Sequence, residues 1–472
     1  MIALILLGFV PVFSQEKTAG RQEIGVTQEA DLVFVEAPVI IPGDFLHRIP
    51  EGSQLVRLHL KSKAASDSVQ DLTPDFFAAS DPEISFDGTR ILFSGQKAAR
   101  GHWQVWEMNV DGSHQRQVTH CTGDCLRAAY LPAGEIVYTV FSASQRLGSY
   151  LSSSKVDGSE THRLTFVPGD FRVETVLRDG RILASASWPL LSGGTASRVL
   201  YTLRSDGTGL ESLRFESIPK GASSDAEELD DGSVVFVKSL EQGSVAGGKL
   251  AIIQHGATHA SMFDSLRDVF TSPRSLGTGE MIVACWIPAS QELPGRFVLY
   301  EFSPASGSLG GPIFGDPRLS SVQAVTVAPH PEPRLFWSTI KPKEKAGSFI
   351  SLNSYLSAGS LNGQLPAPIT QVRVVKLDAA INYEETLGKA PVEADGSFYV
   401  AVPADQPVRF ELLDSHDRII KAQKSWIAAR PGEEHGCVGC HADKAVVPEN
   451  RWPLTLKRLD TPWRLGVGND GP

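Results

Sequence analysis

The 472-residue chain is poor in positive charge, in cysteine and in long apolar runs, and each shortage closes off a class of function. Lys and Arg number 44 against 54 Asp and Glu, a formal net charge of -10. Neutralising phosphates needs a basic face, so the composition argues against a nucleic-acid binder. After the N-terminal leader no stretch reaches the ~20 continuous apolar residues that span a bilayer, so the mature chain is not expected to be transmembrane. Five cysteines, an odd count, are too few for a disulfide scaffold. Turn formers are abundant instead, with 43 Gly and 30 Pro. With an ordinary apolar content they describe a turn-rich globular chain rather than a disordered one.

The chain opens MIALILLGFVPVFSQ, an apolar run over 2–10 followed by Val12-Phe13-Ser14. This reads as a signal peptide over residues 1–15 and predicts a periplasmic or otherwise exported protein in an oxidising compartment. Lys17 is the first basic residue, so a buried N-terminal strand is the alternative reading.

A repeat follows. The unit DPEISFDGTRILFSG, then WQVWEMNVDGSHQRQVT, reads as strand, Asp-Gly turn, strand, strand, second Asp-Gly turn and short strand. Its first turn recurs at Asp87-Gly88, Ala133-Gly134, Asp179-Gly180, Asp231-Gly232 and Thr278-Gly279, with glycines 46, 46, 52 and 47 residues apart. Its second turn recurs at Asp111-Gly112, Asp157-Gly158 and Asp206-Gly207. Glycine supplies the positive φ that such hairpins require, and flanking runs such as Ile91-Leu92-Phe93 suit strands buried on both faces. A period near 46 is that of four-stranded blades. The expectation is an all-β chain with a six-bladed β-propeller over 30–340, closed by partial units at 31–73 and 321–339; seven blades is the alternative. The repeat resembles that of the Tol-associated periplasmic propellers, a resemblance that implies fold and leaves function open. Cys121 and Cys125, in the inter-blade loop CTGDC, read first as a local disulfide, then as a free pair, and last as a metal pair. Cys285, within IVACW, reads as an inert buried thiol.

Past residue 340 the period changes to two. Phe398, Val400 and Val402 alternate along one strand, and Val408, Phe410 and Leu412 along the next, which predicts a small β-sandwich over 345–430.

The pentapeptide Cys437-Val438-Gly439-Cys440-His441 carries the chemistry. Two thiols spaced by two residues can add across the haem vinyl groups, and the histidine that follows can ligate iron. Chance supplies on the order of 0.001 such motifs in a chain of this length. Zinc would need further ligands, of which His435 is the neighbour in sequence, and a redox dithiol would need a βαβ setting. One covalent haem c is therefore expected on Cys437 and Cys440, with His441 as axial iron ligand, in a short C-terminal segment over 431–472. The sixth position is open, or held by one of Met108, Met262, Met281, His330, His416 and His435. The 31 residues after His441, with Trp452 and Trp463, are too short for an independent cytochrome domain, so much of the haem pocket is expected from the sandwich or propeller.

The run LGKAPVEADGSFYVAVPADQPVRFELLDSHDRIIKAQKSWIAARPGEEHGCVGCH resembles the haem-carrying middle domain of the hydrazine synthase alpha subunit. That resemblance implies a propeller ahead of the domain and haem on Cys437 and Cys440. Two positions depart from the family: its iron-ligating tyrosine corresponds to Ala445, and its further haem domain has no counterpart after His441. Three functions follow. The leading one is an exported monohaem c-type cytochrome that passes single electrons, its propeller a docking platform for a redox partner protein. The second is a haem redox enzyme subunit, hydrazine synthase alpha-like, acting on a small nitrogen or oxygen compound. The third is a binding propeller with an accessory haem.

Overall fold

Local turn chemistry sets the strand lengths. The carboxylates of Asp111, Asp157 and Asp206 each accept the backbone N–H two residues on, at 2.9 Å. This closes an Asx-type turn before the chain reverses. Gly158 sits in the left-handed region at φ +87°, and a Cβ there would run into the Val118 carbonyl. The computed structural model describes residues 30–40, 49–60, 68–141, 148–188, 198–213, 221–239, 247–257, 259–263, 266, 268–356, 368–378, 382–439, 452–458 and 461–467. The leader at 1–15 lies outside the described residues.

Such hairpins build six four-stranded units between residues 30 and 326. Their inner strands are Ser320–Thr326, Ala78–Ile84, Asp124–Leu131, Gly169–Val176, Ala222–Glu228 and Phe270–Ser275. Each inner strand touches the next and the last returns to the first, so they surround one axis as in a β-propeller. The third and fourth units merge into one sheet where Gly148 meets Gly169. The two ends of the propeller segment close the ring: Ser320–Thr326 lies antiparallel to Ala30–Ala37, with Val33 opposite Val325. The later part of the chain contributes only this strand. Residues 327–345, expected to extend a partial blade as far as Thr339, instead leave the sheets as an extended strap. Ile91, Leu92 and Phe93 are all 0% exposed, covered by the neighbouring units on both faces.

The strap crosses one face of the ring. The His330 N–H donates to the Phe86 carbonyl at 3.0 Å, that of Arg334 to the Arg178 carbonyl at 3.1 Å, and that of Lys341 to the Pro431 carbonyl at 2.9 Å. It delivers the chain to a sandwich of two four-stranded sheets. One sheet contains Glu434–Cys437, Ala346–Ser351, Phe398–Pro403 and Trp463–Arg464; the other contains Tyr383–Pro391, Gln371–Asp378, Val408–Leu413 and Ile419–Ala422. The alternating residues Phe398, Val400, Val402, Val408, Phe410 and Leu412 meet between them. Two strands of the first sheet come from beyond residue 430, so the motif segment is part of the sandwich rather than an appendage to it. Val375, Leu377 and Trp426 join the core of the third and fourth propeller units, beside Leu131, Phe171 and Trp188. Among the described residues no helix is long and apolar enough to cross a membrane.

Candidate functional site

Cys437 ends the strand Glu434–Cys437, an edge of its sheet, which runs parallel to Ala346–Ser351 with Phe349 opposite His435 and Ser351 opposite Cys437. Alternation puts His435 and Cys437 on the same face. The His435 ring lies 5.6 Å from that of Phe349, and the Leu352 N–H donates to the Cys437 carbonyl at 2.8 Å. The two flanks of the motif differ. Gly436 is exposed and a Cβ there would meet open space, whereas a Cβ on Gly439 would lie 2.7 Å from the Leu356 carbonyl oxygen and 3.0 Å from that of Asn353. Cys440 and His441, and Ala445 with them, lie outside the described residues.

The same corner receives the tail. The Ser354 N–H donates to the Gly396 carbonyl at 2.8 Å. On the other side of that turn the Leu454 N–H donates to Asp395 at 2.8 Å and the Thr455 N–H to the Ser397 hydroxyl at 3.0 Å. Trp452 and Trp463 are left 65% and 44% exposed. A half-buried cysteine leaving an edge strand beside an open flank is compatible with a flat apolar ring attached through sulfur.

Glu433 fixes this strand to the propeller. Its carboxylate accepts the Gly209 N–H at 2.8 Å and the Arg430 N–H at 2.7 Å, and lies 3.8 Å from His435 Nδ1. Burial works to raise the Glu433 carboxyl, but the His435 side chain and these two backbone donors outweigh it and hold it below its usual range. Of the candidate sixth ligands, His435 alone stands on the motif strand. Met108 and Met281 are each 0% exposed within propeller cores that contain no sandwich residue. Met262 ends the strand Ser261–Met262 of the fifth unit, His330 packs on Phe86 at 5.4 Å, and His416 sits in an exposed turn.

Cys121 and Cys125 are joined as a disulfide with Cα atoms 6.3 Å apart, and the Gln104 side chain brackets the loop, accepting the Cys121 N–H at 2.9 Å. Cys285 is 3% exposed, and burial pushes its thiol up to about 12, which keeps it protonated. Among the described residues no three His, Cys, Asp or Glu side chains gather as a metal site.

The propeller axis holds a charged network that the sequence reading missed. Asp81, Arg127, Asp225, Ser272 and Gln323 all adopt positive φ, between 49° and 55°, on five different inner strands. Each stands at a register break in its strand. A left-handed non-glycine residue costs on the order of 1 kcal/mol, so the repetition marks a shared purpose. The Arg127 guanidinium lies 3.8 Å from Asp81, 3.4 Å from Glu174 and 3.2 Å from Asp225, which ties the third unit to the second, fourth and fifth. Gln323 Nε2 donates to Asp81 at 2.7 Å and Thr271 Oγ1 to Asp225 at 2.8 Å, which extends the network to the remaining strands. A second layer sets Arg274 3.5 Å from Glu83 and 3.1 Å from Glu227. Burial raises both glutamates, and Arg274 offsets part of that. The signal in the sequence was the recurrence of Ser80-Asp81-Pro82-Glu83 as Ser224-Asp225-Ala226-Glu227, polar residues inside apolar strands.

With this geometry in place, the chain can be compared with known proteins. Residues 358–442 match the hydrazine synthase alpha subunit middle domain. The similarity runs further than that domain. The chain is 22% identical to hydrazine synthase subunit alpha of Kuenenia stuttgartiensis over 87% of its own length, and spans 66% of the length of that relative. The solved Kuenenia stuttgartiensis hydrazine synthase superposes with a TM-score of 0.79 at 19% identity, covering 91% of this chain and 72% of that one. TolB from Acinetobacter baumannii is also similar, with a TM-score of 0.44 at 12% identity over 63% of this chain and 67% of its own. The expected resemblance to hydrazine synthase alpha is thus found in domain and in overall fold.

Proposed function

We propose that the chain is the alpha-type, haem-bearing subunit of an assembly related to hydrazine synthase, a redox enzyme subunit acting on a small nitrogen or oxygen compound. The observation that carries this reading is the match over 358–442, which ends on the Cys437-Val438-Gly439-Cys440-His441 pentapeptide and continues as similarity into the propeller. It takes precedence over a free-standing monohaem cytochrome, because the relative is named as a subunit of a synthase. Cys437 and Cys440 would hold one haem c through thioether bonds, with His441 as the motif's iron ligand, in an exported protein served by a redox partner.

Haem, when bound, supplies one-electron chemistry at iron. The chain positions it. The edge strand presents Cys437 beside the open flank at Gly436, the close approach of Gly439 to Asn353 and Leu356 sets the turn between the two thiols, and Glu433 ties the strand to Gly209 of the propeller. Mature protein purified from its host should keep its haem in acidified organic solvent. Replacing Cys437 and Cys440 together with Ser should abolish peroxidase staining while the β circular dichroism spectrum is retained. Complete extraction of haem from the unaltered chain would overturn the covalent assignment. The absorption spectrum of reduced protein with and without carbon monoxide separates enzyme from electron carrier: a shift on adding the gas supports an open iron site, and an unchanged spectrum favours electron transfer.

A further inference from the structure

The repeat that shapes the propeller also sorts its charges. Because strands alternate in direction within each unit, the turn after every inner strand and the turn before every outer strand emerge on the same face. These turns carry Asp87, Asp111, Asp157, Asp179, Asp206 and Asp231. Ser85, Ser113 and Ser159 donate their hydroxyls to Asp87, Asp111 and Asp157 at 2.6 Å each, and those hydroxyls hold the three carboxyls below their usual range. The strap lies on this face. Its Thr339 N–H donates to Asp206 at 3.0 Å, and Glu332 accepts the Ala133 N–H at 3.2 Å. The cations of this face are engaged locally: Arg178 pairs with Asp230, Arg181 with Asp179, the strap's Arg334 also acts on Asp179, and Arg204 lies against the Phe336 ring, while Asp87, Asp111 and Asp157 in the neighbouring turns add negative charge.

Within this acidic field the strap displays apolar surface. Phe336 turns inward against Gly180, with the Arg204 guanidinium 5.9 Å from its ring. Its neighbours turn out: Leu335 is 50% exposed and Trp337 85%. An indole so uncovered, held on a strap that is itself anchored, is costly to leave in water, and tryptophan is the residue type most enriched among interface anchors. A second copy of this chain docking by the same face would set aspartate against aspartate, which charge repulsion disfavours.

We propose that this face, centred on Trp337 and Leu335, docks a different protein, one that presents an apolar pocket for the indole within a rim of lysine and arginine. The inference rests on the reading of the chain as one subunit of an assembly. It adds where the neighbour sits and what chemistry that neighbour shows.

The test is photo-cross-linking of the full chain in its native host, with benzoylphenylalanine at position 337 and, as a control on the sandwich, at position 383. The expected result is one dominant cross-linked protein from position 337 and little from 383, the partner being identified by peptide mass. That partner, purified, should bind the unaltered chain. Binding should weaken at least about tenfold with Trp337→Ala, and weaken again as salt rises from about 50 to about 500 mM. A cross-linked dimer of this chain, equal yields from both positions, a salt-independent complex, or unchanged affinity with Trp337→Ala would each overturn the proposal. Melting temperature and haem content are read on the same samples. Trp337→Ala should leave both unchanged, so a failed docking surface is distinguished from a failed haem assignment, which would show as absent haem in the unaltered chain.

Discussion

Replacing Arg127 by Met tests whether the charged network on the axis holds the propeller together. The guanidinium side chain is 10% exposed and stands among Asp81, Glu174 and Asp225, whose side chains are 10%, 0% and 3% exposed. Burial opposes its charge, but Glu174, then Asp225 and Asp81, outweigh burial and raise its pKa. Methionine fills most of the volume and leaves three carboxylates without their cation. Breaking a buried pair from one side costs about 3–5 kcal/mol. At roughly 2 °C per kcal/mol for a large domain, the melting point should fall by about 6–10 °C. Lys389→Met, which removes an exposed partner of Asp417, should cost no more than about 1 kcal/mol. Calorimetric melts of both variants are the assay, and a drop equal to that of Lys389→Met would refute the reasoning.

Two further outcomes follow from the same coordinates. Gly439→Ala places a methyl 2.7 Å from the Leu356 carbonyl oxygen, so the turn between the two thiols must shift. Covalent haem content, read by peroxidase staining, should fall while the propeller melt is unchanged, and full loading would show that the close approach does not matter. Glu36 is pushed up to about 7 by burial, with Asp316 and Asp71 adding to it. Its raised folded pKa means that stability is lost as pH climbs through about 7. Glu36→Gln should therefore raise the melting point at pH 8 and change it little at pH 5, and a stabilisation that ignores pH would contradict the assignment.

What could be read without coordinates was local. Asp-Gly turns announce themselves because glycine at positive φ and an aspartate that accepts the N–H two residues on are properties of four consecutive residues, as at Asp157-Gly158-Ser159. The pentapeptide at Cys437 is legible for the same reason, since the proposed thioether attachment needs its residues adjacent. The period-two faces at Phe398 and Val408 likewise depend only on strand geometry. Residues 327–339 look like a strand in sequence, and nothing local shows that the His330 and Arg334 N–H groups meet turn carbonyls far away. The sandwich boundary was drawn at 430 because a parallel pairing of Glu434–Cys437 with Ala346–Ser351 spans most of a domain.

The sequence by itself therefore determined the repeat and the all-β class, each encoded within a few residues of chain. Tertiary structure alone decided the rest. It brought Gln323 to Asp81, 242 residues apart, and put Arg127 among carboxylates from three other units. It also collected the turn aspartates on the face that the strap crosses and set the motif strand at the edge of a sheet anchored to Gly209. The physical reason is range. Turns and covalent attachment are specified by neighbours in sequence, whereas a buried charge is tolerable only where the closed ring supplies its counter-charge.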